Sequence, residues 1–273
     1  MNDRKSTKYI NPNNKLVSII TPTWNRPTWL KLTLQSLIAQ TYPFWECICV
    51  NDFGEDVNYV IDELHDSRIH YYQNPSNLDL AGTRNVATNK SSGDFLIMLD
   101  DDDGLMPECL EFRLWRAKKL NAEIVYSRVL QCFYEKQTSG YKYLGEKIYW
   151  DCNYSPDLIL IQNVSPCNGI MYSRKAQEVG GLFDTSLKTG EDWDHSIAMS
   201  RFYPFYETKI IDAYCSFRTS NEQMTGSRDF GIDNAKIYKK WRHTATLENL
   251  QQVIERQNSV LKQRGIDPKS FGL

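Results

Sequence analysis

The sequence predicts an α/β chain built on a mostly parallel sheet with helices over both faces, and three observations predict it. Strand-like and helix-like segments alternate from Leu16 to about residue 120 with short connections, as in consecutive β/α units. Polar motifs fall at the ends of the predicted strands, where an open parallel sheet binds its ligands. The run FLIMLDDDDG, residues 95–104, delivers four consecutive aspartates from a strand of five apolar residues.

Residues 1–15 are polar and rich in Asn, which predicts a tail outside the core. LVSIIT, 16–21, reads as the first strand, and PTWLKLTLQSLIAQ, 27–40, as a helix with Pro27 in its first turn, where no backbone donor is needed. WECICVN, 45–51, is the second strand, EDVNYVIDELHD, 55–66, a helix, and IHYYQN, 69–74, a short strand. AGTRNVATNK, 81–90, reads as a helix, FLIML, 95–99, as a strand, and PECLEFRLWRAKKL, 107–120, as a further helix. After Glu123 the segments EIVYSRVLQCFYEK, SGYKYLGEK, GIMYS and PFYETKIIDAYCSF predict a mixed or antiparallel extension of the sheet. Residues 229–264 return to helix. Leu247, Leu250, Ile254 and Leu261, widened by Val253 and Val260, form a stripe expected to pack on the parent domain, with a homo-oligomer contact as the alternative.

At 273 residues the chain is long enough for a sizeable core, and its formal net charge of −2 supplies no basic field to recruit nucleic acid or an anionic membrane. The seven cysteines are scattered, and Cys47-Ile48-Cys49 has strand alternation rather than zinc or redox spacing, so they read as reduced thiols. The N-terminus lacks the apolar core of a signal peptide, and no apolar run approaches the ~20 residues that span a bilayer. The expected location is cytoplasmic, with peripheral attachment at the inner face of a membrane as a variant.

Asp100, Asp101, Asp102 and Asp103 are too much like charge to hold together without a counter-cation. Their hard oxygens suit Mg²⁺ or Mn²⁺, ions that keep coordination positions open for substrate phosphates. The plainer reading is a strand end followed by an acidic helix start, with Asp103 as its cap. The first strand ends in TPTWNRP, placing Pro22, Thr23, Asn25 and Arg26 beside Asp52 of VNDFGED, where a nucleotide's base and ribose could bind. Arg84 in AGTRNVA has a planar fork suited to diphosphate oxygens. In GGLFDTSLKTGEDWDHSIAM, Gly190 suggests a loop that delivers Glu191, Asp192 and Asp194 to a helix head, and one of these acids is a candidate general base. His195 could ligate a metal but is more often structural beside Trp193. Tyr141, Tyr143, Tyr149, Trp150 and Trp193 could form a stacking floor for an acceptor sugar, with core packing as the other reading.

LVSIITPTWNRP, VNDFGED, AGTRNVA, FLIMLDDDDGLMP and GGLFDTSLKTGEDWD, in this order, resemble the family 2 glycosyltransferases of the GT-A fold, over about residues 16–220. The resemblance implies a Rossmann-like catalytic domain over 16–225, with a nucleotide-binding half at 16–103 and an acceptor half at 104–225, followed by a helical extension over 226–273. It further implies an inverting transfer from a nucleotide-sugar, UDP-linked by preference, to a saccharide or other hydroxyl in surface glycan synthesis. Asp52 would hold the base, Asp100 and Asp101 the nucleotide, and Asp102 with Asp100 a divalent metal. Asp192 would be the base, with Glu191 beside it toward the acceptor, and Arg84 and Arg218 would lie near the diphosphate. Asn221 stands where the family often has His, which leaves the third metal ligand open among Asn221, Arg218 and His195.

A haloacid-dehalogenase-type phosphohydrolase shares the hhhhDxDG pattern, but its nucleophile strand normally opens the domain, whereas two β/α units precede it here. A sugar-nucleotide pyrophosphorylase would need a Gly-rich loop that TPTWNRP lacks. A non-catalytic nucleotide-sugar-binding protein is the remaining rival, disfavoured by an intact Asp192.

Overall fold

All seven residues of β1 (Val17–Thr23) are buried, as befits a strand paired on both sides and covered on both faces. The computed structural model describes residues 14–149, 153–218 and 230–273. β1 pairs in parallel with β2 (Trp45–Asn51) and β4 (Phe95–Met98), and β2 in parallel with β3 (Ile69–Gln73). β8 (Ile170–Ser173) joins antiparallel to β4 and to β6 (Ile124–Gln137), which carries β7 (Gly140–Ile148) as a hairpin partner. β9 (Phe205–Arg218) runs parallel to β6 and ends the sheet with the two-residue β5 (Gly104–Leu105). The order is β3-β2-β1-β4-β8-β6-β9-β5, a parallel first half and a mixed second half.

Period-2 alternation divides the strand residues between two cores. Val17, Ile19, Cys47, Cys49 and Ile97 pack with α1 (Pro27–Ile38), α2 (Asn58–Leu64) and α4 (Cys109–Leu120) through Leu30, Leu34, Val60 and Leu114. Ile20, Ile48, Val50, Leu96 and Met98 face the opposite layer of α3 (Asp79–Lys90), α5 (Arg174–Gly180) and α6 (Glu191–Ser200). Each fully buried aliphatic side chain contributes on the order of 1.5–3 kcal/mol relative to exposure. The described cysteines are all free thiols, and no described helix is long and apolar enough to cross a membrane.

Three expectations change. The predicted helix at 107–120 begins at Cys109, because Gly104 and Leu105 first pair with Tyr214 and Ala213. Only a glycine fits at 104, since a Cβ there would lie 2.2 Å from the Tyr214 ring. The C-terminal region is two helices, α7 (Phe230–Trp241) and α8 (Leu250–Gln263), and Leu247 falls in the break between them, 93 % exposed. Val253 and Leu261 are buried against the domain, and Gln257 donates to the Leu160 carbonyl at 2.7 Å. The domain thus covers Val253 and Leu261, while Leu250, Ile254 and Val260 are half-buried. Residues 1–13 of the expected tail and the boundary at 225/226 lie outside the described residues.

Candidate active site

Asp52, at the exit of β2, is 6 % exposed, and its carboxylate accepts from Asn74 Nδ2 at 2.9 Å and from the Leu78 N–H at 2.8 Å. Both donors reach Oδ1. Oδ2 has no partner among the described residues, which leaves it as an acceptor for a ligand N–H or O–H. The neighbouring loop is shaped rather than aimed. Pro22 is buried in β1 opposite Val50, and Asn25, at φ 54, accepts the Glu55 N–H on Oδ1 at 2.7 Å. Thr23 donates its hydroxyl hydrogen to Asp101 Oδ2 at 2.7 Å, so it steadies the acidic run instead of offering that hydrogen to a base.

Beyond β4 the four aspartates point to different partners. Asp100 accepts from Arg84 Nη2 at 2.6 Å. Asp101 is 1 % exposed and pairs with Arg26 at 3.2 Å as well as with Thr23. Burial pushes its carboxyl up to about 7 against the pull of Arg26, with Asp102 adding to the rise. Asp102 Oδ2 accepts from Arg26 Nη1 and Arg218 Nη2, each at 2.6 Å. Asp103 is no helix cap: it accepts the Ser216 N–H at 3.0 Å and the Asn168 Nδ2 at 3.3 Å, fastening the run to β9. A cavity of about 370 Å³ adjoins Asp102 and Asp103, walled by Trp29, Thr33, Tyr134, Tyr214 and Ser216. None of its walls comes from α6.

Gly190 caps α6 with φ 72, a left-handed turn that costs glycine little. That turn presents Glu191 to Arg84, whose Nη1 donates to Oε1 at 2.5 Å. Arg84 thereby ties the end of β4 to the head of α6. Burial alone would lower its pKa, but Asp100, Cys167 and Glu191 hold the guanidinium firmly charged, and its Nε has no hydrogen-bond partner among the described residues. Burial raises Glu191 to about 7 against the Arg84 charge and also raises Asp192, which is half-buried. Asp192 accepts from Asn163 Nδ2 at 3.2 Å and from the Trp193 N–H at 2.8 Å. Asp194 points away from the cleft toward α7, accepting from Lys240 Nζ at 2.8 Å and Trp241 Nε1 at 2.6 Å. Asp233 of α7 in turn accepts the N–H groups of Lys188 and Thr189 at 2.9 and 3.0 Å.

Two expected contacts are corrected. Trp193 is 5 % exposed, donates its indole N–H to the Ile159 carbonyl at 2.6 Å and packs edge-on to Tyr238, so it belongs to the core and not to an acceptor floor. His195 is 3 % exposed, lies against Phe183 with ring centroids 4.5 Å apart, and bonds through Nε2 to the Gly181 carbonyl at 3.1 Å. An imidazole so placed is not a metal ligand at the cleft. Burial lowers its pKa to about 4. The unfolded chain therefore takes up this proton first, and stability falls as pH drops from about 6.5 through about 4. Urea titrations at pH 7 and 4.5 should show His195→Gln losing about 2–3 kcal/mol less than the unmodified chain over that interval. Equal losses would exclude the buried neutral imidazole as the cause.

Glu191 is likewise engaged with Arg84 and buried at 4 %, so it steadies Arg84 and presents no surface to an acceptor. Trp150 and Asn221 lie outside the described residues. Tyr141 and Tyr143 stand on β7, with rings 4.8 Å from Trp29 and 5.7 Å from Tyr134, while Tyr149 packs on Phe217 at 5.0 Å. The sequence had not marked Asn74, Asn163 or Asn168, each of which holds a site aspartate. Polar residues in irregular connections carry no periodic signal, so nothing there could single them out.

Residues 18–180, more than half of the chain, match the model of Glycosyl transferase family 2. The chain belongs to that family. This family 2 glycosyltransferase is 29 % identical over 191 residues to the putative colanic acid biosynthesis glycosyl transferase WcaA of Escherichia coli, covering 68 % of this chain and 67 % of that one. Its fold is similar to that of S. aureus TarS 1–349 in complex with UDP-GlcNAc, with a TM-score of 0.68, 17 % identity and coverage of 91 % and 74 %. It also resembles the mannosyltransferase PcManGT of Pyrobaculum calidifontis in complex with GDP-Man and Mn²⁺, with a TM-score of 0.59, 14 % identity and coverage of 91 % and 72 %. The fold of the glycosyltransferase is GT-A, as its strand-end motifs implied.

Proposed function

We propose that this glycosyltransferase moves a sugar from a UDP-linked donor to an acceptor hydroxyl with inversion at the anomeric carbon, in the cytoplasmic synthesis of a surface polysaccharide or glycoconjugate. The observation that carries the reading is the Arg84 bridge, which joins Asp100 at the end of β4 to Glu191 at the head of α6. The bridge supports a shared site for the acidic run and Asp192, since it ties together elements far apart in sequence. The relatives support the donor class: TarS was crystallised with UDP-GlcNAc, and the E. coli relative is named for colanic acid biosynthesis.

Asp52 Oδ2 accepts a hydrogen bond from the base or ribose, and Arg84 and Arg26 face the diphosphate with charged forks. Asp192, with its pKa raised, takes the proton of the acceptor hydroxyl as that oxygen bonds to the anomeric carbon. The bond from the anomeric carbon to the diphosphate oxygen breaks in the same displacement, and its electron pair leaves with the diphosphate. Asn163 and the Trp193 N–H fix the two Asp192 oxygens, which sets the direction of attack.

Among the described residues no three His, Cys, Asp or Glu side chains form a ready-made metal cage. The donor set nonetheless fits Mn²⁺ or Mg²⁺. Among the described residues Asp100 and Asp102 each keep one hard oxygen free of hydrogen bonds, and the carboxylates outnumber Arg26, Arg84 and Arg218. A dication held there supplies Lewis-acid neutralisation of the leaving diphosphate.

The test is a thermal-shift panel of nucleoside diphosphates and their sugars, each with Mn²⁺ and with chelator, followed by product analysis. UDP-sugars with Mn²⁺ should stabilise the chain most, by about 2.7 kcal/mol at a hundred times Kd. Turnover of phosphomonoesters without a nucleotide would favour the phosphohydrolase alternative.

A further inference from the structure

Asp102, the carboxylate best suited to a dication, is already claimed by two arginines on one oxygen. The two are held very differently. Arg218 has a side chain 1 % exposed and lies over the Trp29 ring, its guanidinium carbon 4.8 Å from the centroid. Arg26 has a side chain 32 % exposed, sits just ahead of α1, and spans Asp101 and Asp102 with a single nitrogen, Nη1. Arg218 is part of the wall, whereas Arg26 can swing. An arginine side chain stays charged in a protein, and its place 3.2 Å from Asp101 and 2.6 Å from Asp102 keeps that positive charge at the metal position. A dication approaching the Asp102 carboxylate meets that charge, which stands 2.6 Å from Oδ2.

We propose that Arg26 guards Asp102: in the free protein its charge sits against the metal-holding carboxylate, and it hands its guanidinium to the donor's diphosphate as the nucleotide arrives, which removes the repulsion that a dication meets there. This rests on the nucleotide-sugar reading above. Nucleotide and metal then bind as a linked pair, each raising affinity for the other by the same factor. The site discriminates accordingly, since a sugar phosphate or nucleoside without a diphosphate gives Arg26 no second partner and leaves the repulsion at Asp102 in place.

Isothermal titration of the full chain with Mn²⁺ alone, UDP alone, and Mn²⁺ in saturating UDP tests the device. With the native side chain, UDP should tighten Mn²⁺ by about tenfold or more, within the usual range of coupling between sites. Arg26→Gln should bind Mn²⁺ alone about fivefold or more tightly than the native chain, with the coupling reduced. Arg26→Lys keeps the charge and should retain weak binding of Mn²⁺ alone. The device is overturned if UDP leaves native Mn²⁺ affinity unchanged, or if Arg26→Gln binds Mn²⁺ alone no better than the native chain. UDP binding without coupling removes the guard and keeps the glycosyltransferase reading, while failure of UDP to bind in any combination removes both.

Discussion

Replacing Asp192 with Asn should lower kcat by about 10²–10⁴-fold, the range a positioned general base supplies, while UDP affinity stays at its native value. Asn is nearly isosteric. Its amide oxygen can keep the bond from the Trp193 N–H at Oδ1, and what changes is Oδ2, where an NH₂ would face the Asn163 amide that now donates at 3.2 Å. Asn163 can turn its own oxygen toward the new donor, so the head of α6 has no reason to move. What the variant lacks is a lone pair basic enough to accept the acceptor's proton. Stopped-flow or end-point transfer assays, paired with UDP titrations, separate chemistry from binding. Near-native transfer would take Asp192 out of the role.

The largest loss of stability is expected at Arg113, a residue that touches no substrate position. Its side chain is fully buried in α4 and grips Asp212 of β9 with two nitrogens, Nε at 3.0 Å and Nη2 at 2.5 Å, while Nη1 donates to the Asn168 carbonyl at 2.8 Å. Arg113→Met removes the charged partner and leaves a buried carboxylate with neutral ones, the Ser127 hydroxyl at 2.9 Å and the Cys109 thiol. Breaking a buried pair in this way costs about 3–5 kcal/mol, a large part of the roughly 5–15 kcal/mol that holds a domain together. Denaturant unfolding should show the lowered midpoint. Arg113→Met with Asp212→Leu should recover much of the loss, because no charge then remains buried. If the double variant is as unstable as the single one, the loss comes from packing and not from the orphaned charge.

The parallel first half of the sheet was legible because its signals are local. Strand, helix and polar strand end follow one another within a few residues at Thr23, Asp52 and Asp100, and a short-range pattern suffices. The second half depends on pairings that no local window contains. β5 has two residues and exists only because β9, more than a hundred residues later, lies beside it. α6 misled for a different reason. It carries Glu191, Asp194, His195 and Ser196 as buried residues among apolar ones, whereas the sequence grouped Glu191, Asp192 and Asp194 as one set of acids at the helix head. Glu191, Asp194 and His195 are each satisfied by a distant group: Arg84, Lys240 with Trp241, and the Gly181 carbonyl. A buried polar residue can be recognised only once its partner is known, and sequence spacing does not name the partner. The C-terminal stripe shows the same limit, since its periodicity ran through Leu247 without marking the break between α7 and α8.

The ties from α7 to Asp194 and to the backbone of Lys188 and Thr189 grip both sides of the turn that carries Asp192. In the proposed reaction α7 thus serves as a splint for Asp192, while Asp52, proposed to hold the base, is braced independently by Asn74 and Leu78. On that proposal, damage near Trp241 would leave a protein that still captures its donor and wastes the encounter, turning an enzyme into a sponge for sugar nucleotides.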